Sequence, residues 1–238
     1  MRIVVVAHEK GGTGKSTTVM NLAAVLSENS RILVVDVDPQ GSASFWADQA
    51  GDALPFDVAD DTNPHNLAQL RQLPYDIVLV DTPGNLTARD VLETVLREAD
   101  FVILPTEAGG ALAVPPLVKT IRQLVEPAGV DYRVLVNKAD MRDGVISGAE
   151  TGGKTQSAAY YDTVNFLKQA GLKHFTSYIK RYKMHADAPV EGKVATQYGG
   201  DKISKAAAED YTNLALELNS LWANQGAGQA SVTMRAVN

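Results

Sequence analysis

The 238-residue chain contains no cysteine. Disulfides, thiolate-bound zinc and iron–sulfur clusters are thereby excluded, and a reducing, cytoplasmic setting fits. No apolar run approaches the ~20 residues that span a bilayer. The opening "MRIVVVAHEK" passes from a short apolar run into a glycine loop without a cleavage signal, so no secretory leader is expected. An excess of basic residues is also missing. The formal net charge is −6, so any contact with nucleic acid would depend on a local patch rather than on the field of the whole molecule. His8, His65, His174 and His185 show no metal-ligand spacing, and there is no internal repeat.

What is present is ordinary globular composition, with 45% apolar and 21% charged residues, and a regular rhythm. Short runs rich in Val and Ile stand at 2–7, 31–37, 76–81, 101–105, 132–137 and 174–179. Most lack polar alternation, as strands buried on both faces of a parallel sheet do. Helix-length segments lie between them at 15–29, 88–99, 115–126 and 160–171, and a last one lies within 203–224. The alternation predicts an α/β fold with a doubly wound, mostly parallel sheet flanked by helices. A single domain is expected over 1–225, with a disordered tail at 226–238. Residues 48–66 read as a connection with one short strand near "FDV", and 140–158 as a long loop.

Three motifs carry chemistry. The stretch "EKGGTGKSTT" (9–18) follows the first strand and opens the first helix. Gly11, Gly12, Thr13 and Gly14 let backbone amides turn towards phosphate oxygens, and the helix N-terminus adds a favourable dipole. Lys15 is placed to contact the terminal phosphates, Ser16 to ligate Mg²⁺, and Thr17 completes the loop. Glu9 stands where the common phosphate loop has its first glycine, and a second lysine, Lys10, precedes Gly11. Asp36 and Asp38 share one side of the end of the second strand, and Asp81 ends the next, where open α/β sheets bind ligands. An Asp there can hold a water of the Mg²⁺ shell; capping of a following helix is the alternative for any one of them.

"KGGTGKSTT", "VVDVDPQGSAS" and "IVLVDTPG" together resemble the deviant Walker A, A′ and B motifs of the ParA/MinD group of ATPases. "YIKRYKMHADAPVEGKV" (178–194) is similar to a ParA segment reading I-P-R, a spacer, then A-x-A-P-x-x-G-K. The resemblance implies ATP and Mg²⁺ as cofactors, a homodimer with two ATP molecules sandwiched between subunits, and a catalytic set of Lys10, Lys15 and Asp38. In it Lys10 acts on the partner's nucleotide, Lys15 acts on its own, and Asp38 positions the attacking water. Ser16, Asp36 and Asp81 serve the metal, with Asp36 supporting its shell and Asp81 doing so through water.

Asn137 fits a base contact for either purine. "VNKAD" (136–140) resembles the guanine-reading NKxD motif, yet the three-motif match favours ATP over GTP, with Lys138 and Asp140 then read as an exposed turn. Residues 163–186 lack Asp and Glu and interleave Lys173, Lys180, Arg181 and Lys183 with aromatics. That is either a solvated face or, as the resemblance implies, a surface for nonspecific DNA. Lys180 replaces the family's proline, and Thr212 and Asn213 stand where ParA proteins often carry arginine.

The resemblance therefore implies a short partition ATPase without an N-terminal helix-turn-helix domain. It would bind DNA as an ATP dimer, associate with the nucleoid in that state, and be released when a ParB-like or other centromere-binding partner stimulates hydrolysis. Plasmid or chromosome segregation is the default cargo. The alternatives are a protein cargo, or MinD-like membrane cycling, which needs a basic amphipathic C-terminal helix that "GAGQASVTMRAVN" does not supply. No membrane partner is expected. Small-molecule synthetase chemistry on the same fold is a third class.

Overall fold

Ile3 and Val5 lie on one face of the first strand, and Val4 and Val6 on the other; all four are fully buried. A strand that is apolar on both faces needs cover on both, and the chain supplies it with two helical layers. The computed structural model describes residues 1–84, 89–110, 114–153 and 155–235, with the backbone alone for 150 and 225–235. In chain order the elements are β1 (Arg2–Val6), α1 (Lys15–Leu26), β2 (Ile32–Asp36), α2 (Ser42–Ala50), β3 (Asp57–Asp60), α3 (Pro64–Leu67), β4 (Ile77–Asp81) and α4 (Arg89–Glu98). There follow β5 (Phe101–Glu107), α5 (Val114–Thr120), β6 (Tyr132–Ala139), β7 (Val145–Ile146), β8 (Gln156–Ser157), α6 (Ala158–Gln169), β9 (His174–Lys180), α7 (Met184–Glu191) and α8 (Lys202–Arg235).

Seven strands form one sheet in the order β3-β2-β4-β1-β5-β6-β9, and every pairing in it is parallel. The chain moves outward in one direction from β1 to β2 and in the other from β4 to β5. The crevice where the order reverses therefore opens at the carboxyl end of β1, beside β4 and β5. Val4, Val6, Val34, Leu79 and Ile103 pack with Trp46, Tyr211, Leu214, Leu218 and Trp222 in the layer of α1, α2, α7 and α8. Ile3, Val5, Val35, Val80 and Leu104 pack with Leu92, Leu96, Leu117, Ile121 and Leu167 in the layer of α4, α5 and α6.

The expected parallel α/β architecture is present, and four local features differ from the sequence reading. The 140–158 segment is not a plain loop: β7 and β8 pair antiparallel within it. Helix α2, "SASFWADQA", has short side chains at its start and only Ala43 and Trp46 buried, too little periodicity to read from sequence. Helix α7 was legible only as a motif, because Pro189 lies inside it. Helix α8 continues to Arg235, through most of the segment expected to be disordered. That stretch contains no proline, and alanine, glutamine and methionine favour the helix. Residues 236–238 of the expected tail lie outside the described residues.

Candidate nucleotide site

The loop between β1 and α1 is shaped by residues that only glycine serves well. Gly12 and Gly14 adopt φ of 77° and 93°, a left-handed conformation that a Cβ disfavours. A Cβ on Gly14 would also lie 2.7 Å from Nδ2 of Asn137. From the other side, a Cβ on Gly84, three residues after Asp81, would lie 3.1 Å from Cα of Gly11 and 3.3 Å from Nζ of Lys15. The Thr82 hydroxyl holds that turn by donating to the Val6 carbonyl (2.8 Å). The loop thus sits close against β4 and β6, with Gly11 and Gly12 exposed to solvent.

Lys15 and Asp81 are both buried. Burial lowers the Lys15 pKa, while Asp81 and Asp38 oppose that shift. Burial raises Asp81 to about 7; Asp36 and Asp38 add repulsion, and the Ser16 hydroxyl and Lys15 pull it back. Neither carboxylate oxygen of Asp81 closes a hydrogen bond of regular geometry. A buried, unpartnered carboxylate beside a hydroxyl and a desolvated ammonium is a donor set that suits a hydrated divalent cation with phosphate. The fit rests on Lys15, Ser16 and Asp81.

Asp36 ends β2, as expected, and its carboxylate is held by the turn that follows. Its Oδ2 accepts from the Ala43 and Ser44 amides (both 2.9 Å) and from the Ser44 hydroxyl (3.2 Å), and its Oδ1 accepts from the Asp38 amide (3.0 Å). It caps α2 and fixes the turn that presents Asp38. Asp38 lines the cavity, and its own Oδ1 accepts from the Gln40 amide (3.0 Å).

Asn137 and Lys138 brace the loop. Nδ2 of Asn137 donates to the Thr13 carbonyl (3.1 Å) and the Thr18 hydroxyl (3.3 Å), leaving its buried Oδ1 without a partner. Lys138, read from sequence as an exposed turn residue, adopts φ 57° and donates from Nζ to the Gly12 carbonyl (2.6 Å). A left-handed lysine has no sequence signature, so this role was not legible. Lys10 is half-buried and does not line the cavity of its own chain; its amide donates to Nδ1 of His8 (2.8 Å).

The cavity, of about 750 Å³, runs from Gly11–Thr17 past Asp38, Phe45 and Trp46 to Arg181, Tyr182, His185 and Pro189. His185 was not singled out from sequence. Its ring lies edge-on to Tyr182 (5.5 Å, 84°) and Tyr211 (5.6 Å, 78°), with both nitrogens buried and unpartnered. Burial pushes its pKa down to about 4, from the ordinary 6.5. Below pH 6.5 the unfolded chain takes a proton here that the folded chain refuses until near pH 4. This group's contribution to stability should thus fall across that window, by on the order of 3 kcal/mol in all. Urea midpoints from pH 7 to 4.5 check this: His185→Phe should flatten the slope relative to the unaltered chain, and parallel curves would refute it.

The basic stripe is divided. Lys173 precedes β9, at the opposite end of the strand from Lys180, and pairs with Asp131 (2.5 Å). Lys180 pairs with buried Asp210 (2.5 Å), which also accepts from the Lys180 amide and the Tyr182 hydroxyl. Arg181 pairs with Glu107 (3.0 Å) and approaches Asp140 (3.7 Å). Lys183 has 92% of its side chain exposed and reaches Asp187 only at 3.9 Å. The run without Asp or Glu in sequence therefore meets carboxylates from β5, α7, α8 and the turn before β6. Sequence adjacency could not reveal this.

The profile of the CobQ/CobB/MinD/ParA nucleotide binding domain matches residues 4–221. The chain belongs to that family. It is 39% identical over 222 residues to a Gloeobacter kilaueensis protein named maintenance of carboxysome distribution protein A, covering 93% of this chain and 95% of that one. It is 26% identical over 252 residues to the chromosome-partitioning ATPase Soj of Thermus thermophilus, covering 92% and 95%. Its fold is similar to that of cobyrinic acid a,c-diamide synthase from Mycobacterium smegmatis, solved with an ATP analogue and magnesium (TM-score 0.64, 20% identity, 93% and 96% covered). The family is one of nucleotide-binding ATPases. Among the described residues no helix is long and apolar enough to cross a membrane.

Proposed function

We propose that this family member is an ATP-driven positioning ATPase whose cargo is a protein assembly of the carboxysome kind, rather than a plasmid or chromosome. The observation that carries this reading is 39% identity along nearly the whole chain to a carboxysome-distribution protein, against 26% to a chromosome-partitioning one. The default cargo expected from sequence thus gives way to the protein-cargo alternative.

In this reading ATP occupies the cavity with its phosphates on Gly11–Thr17, and Mg²⁺, when bound, neutralises charge on the terminal phosphates. Ser16 would ligate that ion, and Asp81 would hold its water. Lys15 pairs with the phosphates. Asp38, oriented by Asp36, holds the attacking water in line. Lys10, absent from its own cavity, enters the site of a second copy, so the ATP-bound chain is a homodimer whose assembly reports on the terminal phosphate. A partner protein bound to the cargo stimulates hydrolysis and releases the dimer. The surface travelled is nonspecific DNA, with Lys183 as the contact left most open; Lys173, Lys180 and Arg181 would engage it only by exchanging their carboxylate partners for phosphates.

The reading is tested in the host cell by removing the protein and tracking fluorescent carboxysome-type cargo together with replication-origin and plasmid markers. Clustered cargo with normally segregating DNA is the expected result. Missegregated DNA with evenly spaced cargo would return the protein to the partition class.

A further inference from the structure

The sequence Asn137-Lys138-Ala139-Asp140 has the form of a guanine-reading motif, and the structure divides its labour unexpectedly. Asn137 and Lys138 both act on the phosphate loop, through the Thr13 and Gly12 carbonyls. Asp140, whose carboxylate in such a motif accepts two hydrogen bonds from guanine, is engaged elsewhere. Nε of Arg142 donates to both of its oxygens (3.0 and 3.1 Å), Nη2 donates to Oδ2 (2.6 Å), and the Arg142 amide donates to Oδ1 (2.9 Å). The guanidinium of Arg181 stands on the other side, Nε at 3.7 Å, while its Nη2 donates to Glu107 (3.0 Å).

The sheet dictates this arrangement. Ala139 is the register partner of Lys180, and the Arg181 amide donates to the Ala139 carbonyl (2.9 Å). Asp140 and Arg181 therefore leave the carboxyl ends of β6 and β9 side by side. Arg142 comes back to the same carboxylate through the short 3₁₀ turn Met141–Asp143, which Asp140 caps. Arg142, Asp140, Arg181 and Glu107 thus form a chain of alternating charges. Lys138 and Arg181 line the cavity, while Asp140, held by Arg142, does not.

We propose that Arg142 and Arg181 are specificity-determining residues that reject guanine by holding Asp140 in an internal ion pair. Guanine presents two adjacent N–H donors on its pairing edge, and burying them without acceptors is costly. A site discriminates strongly only where a wrong base leaves polar groups unpaired, and the engaged carboxylate creates that condition for guanine. Adenine presents a ring acceptor at the corresponding edge and needs no carboxylate. The inference rests on the nucleotide reading of the cavity and adds the residues that choose the base.

The experiment titrates the full chain, with Mg²⁺, against fluorescent ATP and GTP analogues, in the unaltered form and as Arg142→Ala, Arg142→Ala/Arg181→Ala and Arg142→Ala/Asp140→Asn. The side chain of Arg142 is 83% exposed, so its removal should leave the fold intact; circular dichroism is recorded alongside. The unaltered chain should favour ATP by about a hundredfold or more. Releasing Asp140 should narrow that ratio about tenfold through tighter GTP binding, with ATP affinity unchanged in Arg142→Ala, whose side chain does not line the cavity, and Asp140→Asn in the same background should restore it. A ratio unmoved in both arginine variants, or narrowed only by weaker ATP binding, would overturn the proposal. Failure of the unaltered chain to bind either analogue would instead remove the nucleotide reading, and this inference with it.

Discussion

Lys10→Ala should keep ATP affinity within about threefold of the unaltered chain, yet form no ATP-dependent dimer and hydrolyse roughly a thousandfold more slowly. The geometry separates the two lysines. Lys10 lies outside the cavity of its own chain, and its hydrogen bonds there run through its backbone: its amide donates to Nδ1 of His8 (2.8 Å) and its carbonyl accepts from the Thr13 hydroxyl (3.4 Å). The neighbouring Glu9 is anchored independently by Lys119 (3.3 Å), so trimming the Lys10 ammonium leaves the loop standing. Lys15 differs in each respect, being buried, facing Asp81 and Asp38, and lying under Gly84. Lys15→Ala removes the cation nearest two carboxylates and should abolish measurable nucleotide binding. Titration with a fluorescent analogue, light scattering with and without ATP, and phosphate release distinguish the variants. A Lys10→Ala monomer that no longer binds ATP would show that this lysine serves its own site and would remove the case for action across a dimer.

These outcomes depend on how local sequence becomes geometry. The phosphate loop was legible because its work is done by backbone, and glycines at Gly12 and Gly14 declare a left-handed path in the sequence itself. The sheet was legible because strands buried on both faces must be apolar throughout. Asp36 was not, since an aspartate that caps α2 and one that serves a metal look alike until the Ala43 and Ser44 amides are placed. The carboxylate partners of the basic stripe were hidden for a related reason. Lys180 is neutralised by Asp210, thirty residues further along the chain, and long-range pairing leaves no local trace. Lys138 and His185 were hidden too, one behind an unusual φ and the other behind a burial that only the packed helices create.

Gly192→Ala should cost about 2–4 kcal/mol of stability and weaken nucleotide binding with it. Gly192 ends α7 at φ 62°, where a Cβ alone costs about 1 kcal/mol. Here that Cβ would also lie 2.5 Å from the Ala50 nitrogen and from the carbonyl carbon and oxygen of Gln49. These are backbone atoms at the end of α2, unable to swing aside as a flexible side chain could, and overpacking of this kind adds about 1–3 kcal/mol. The next residue, Lys193, accepts from Nε1 of Trp46 (3.1 Å) through its carbonyl, so separating α7 from α2 also pulls on a buried tryptophan that lines the cavity. Because the start of α2 is held by Asp36, which in turn fixes Asp38, the displacement should reach the site. Gly171→Ala is the matched control, with φ 68° and nothing within 4 Å of the added atom, and it should lose only the backbone term. Urea unfolding of the two variants separates the contributions. Equal losses would mean that α2 and α7 yield to each other, and that the tight glycine contact between them does not hold the cavity's shape.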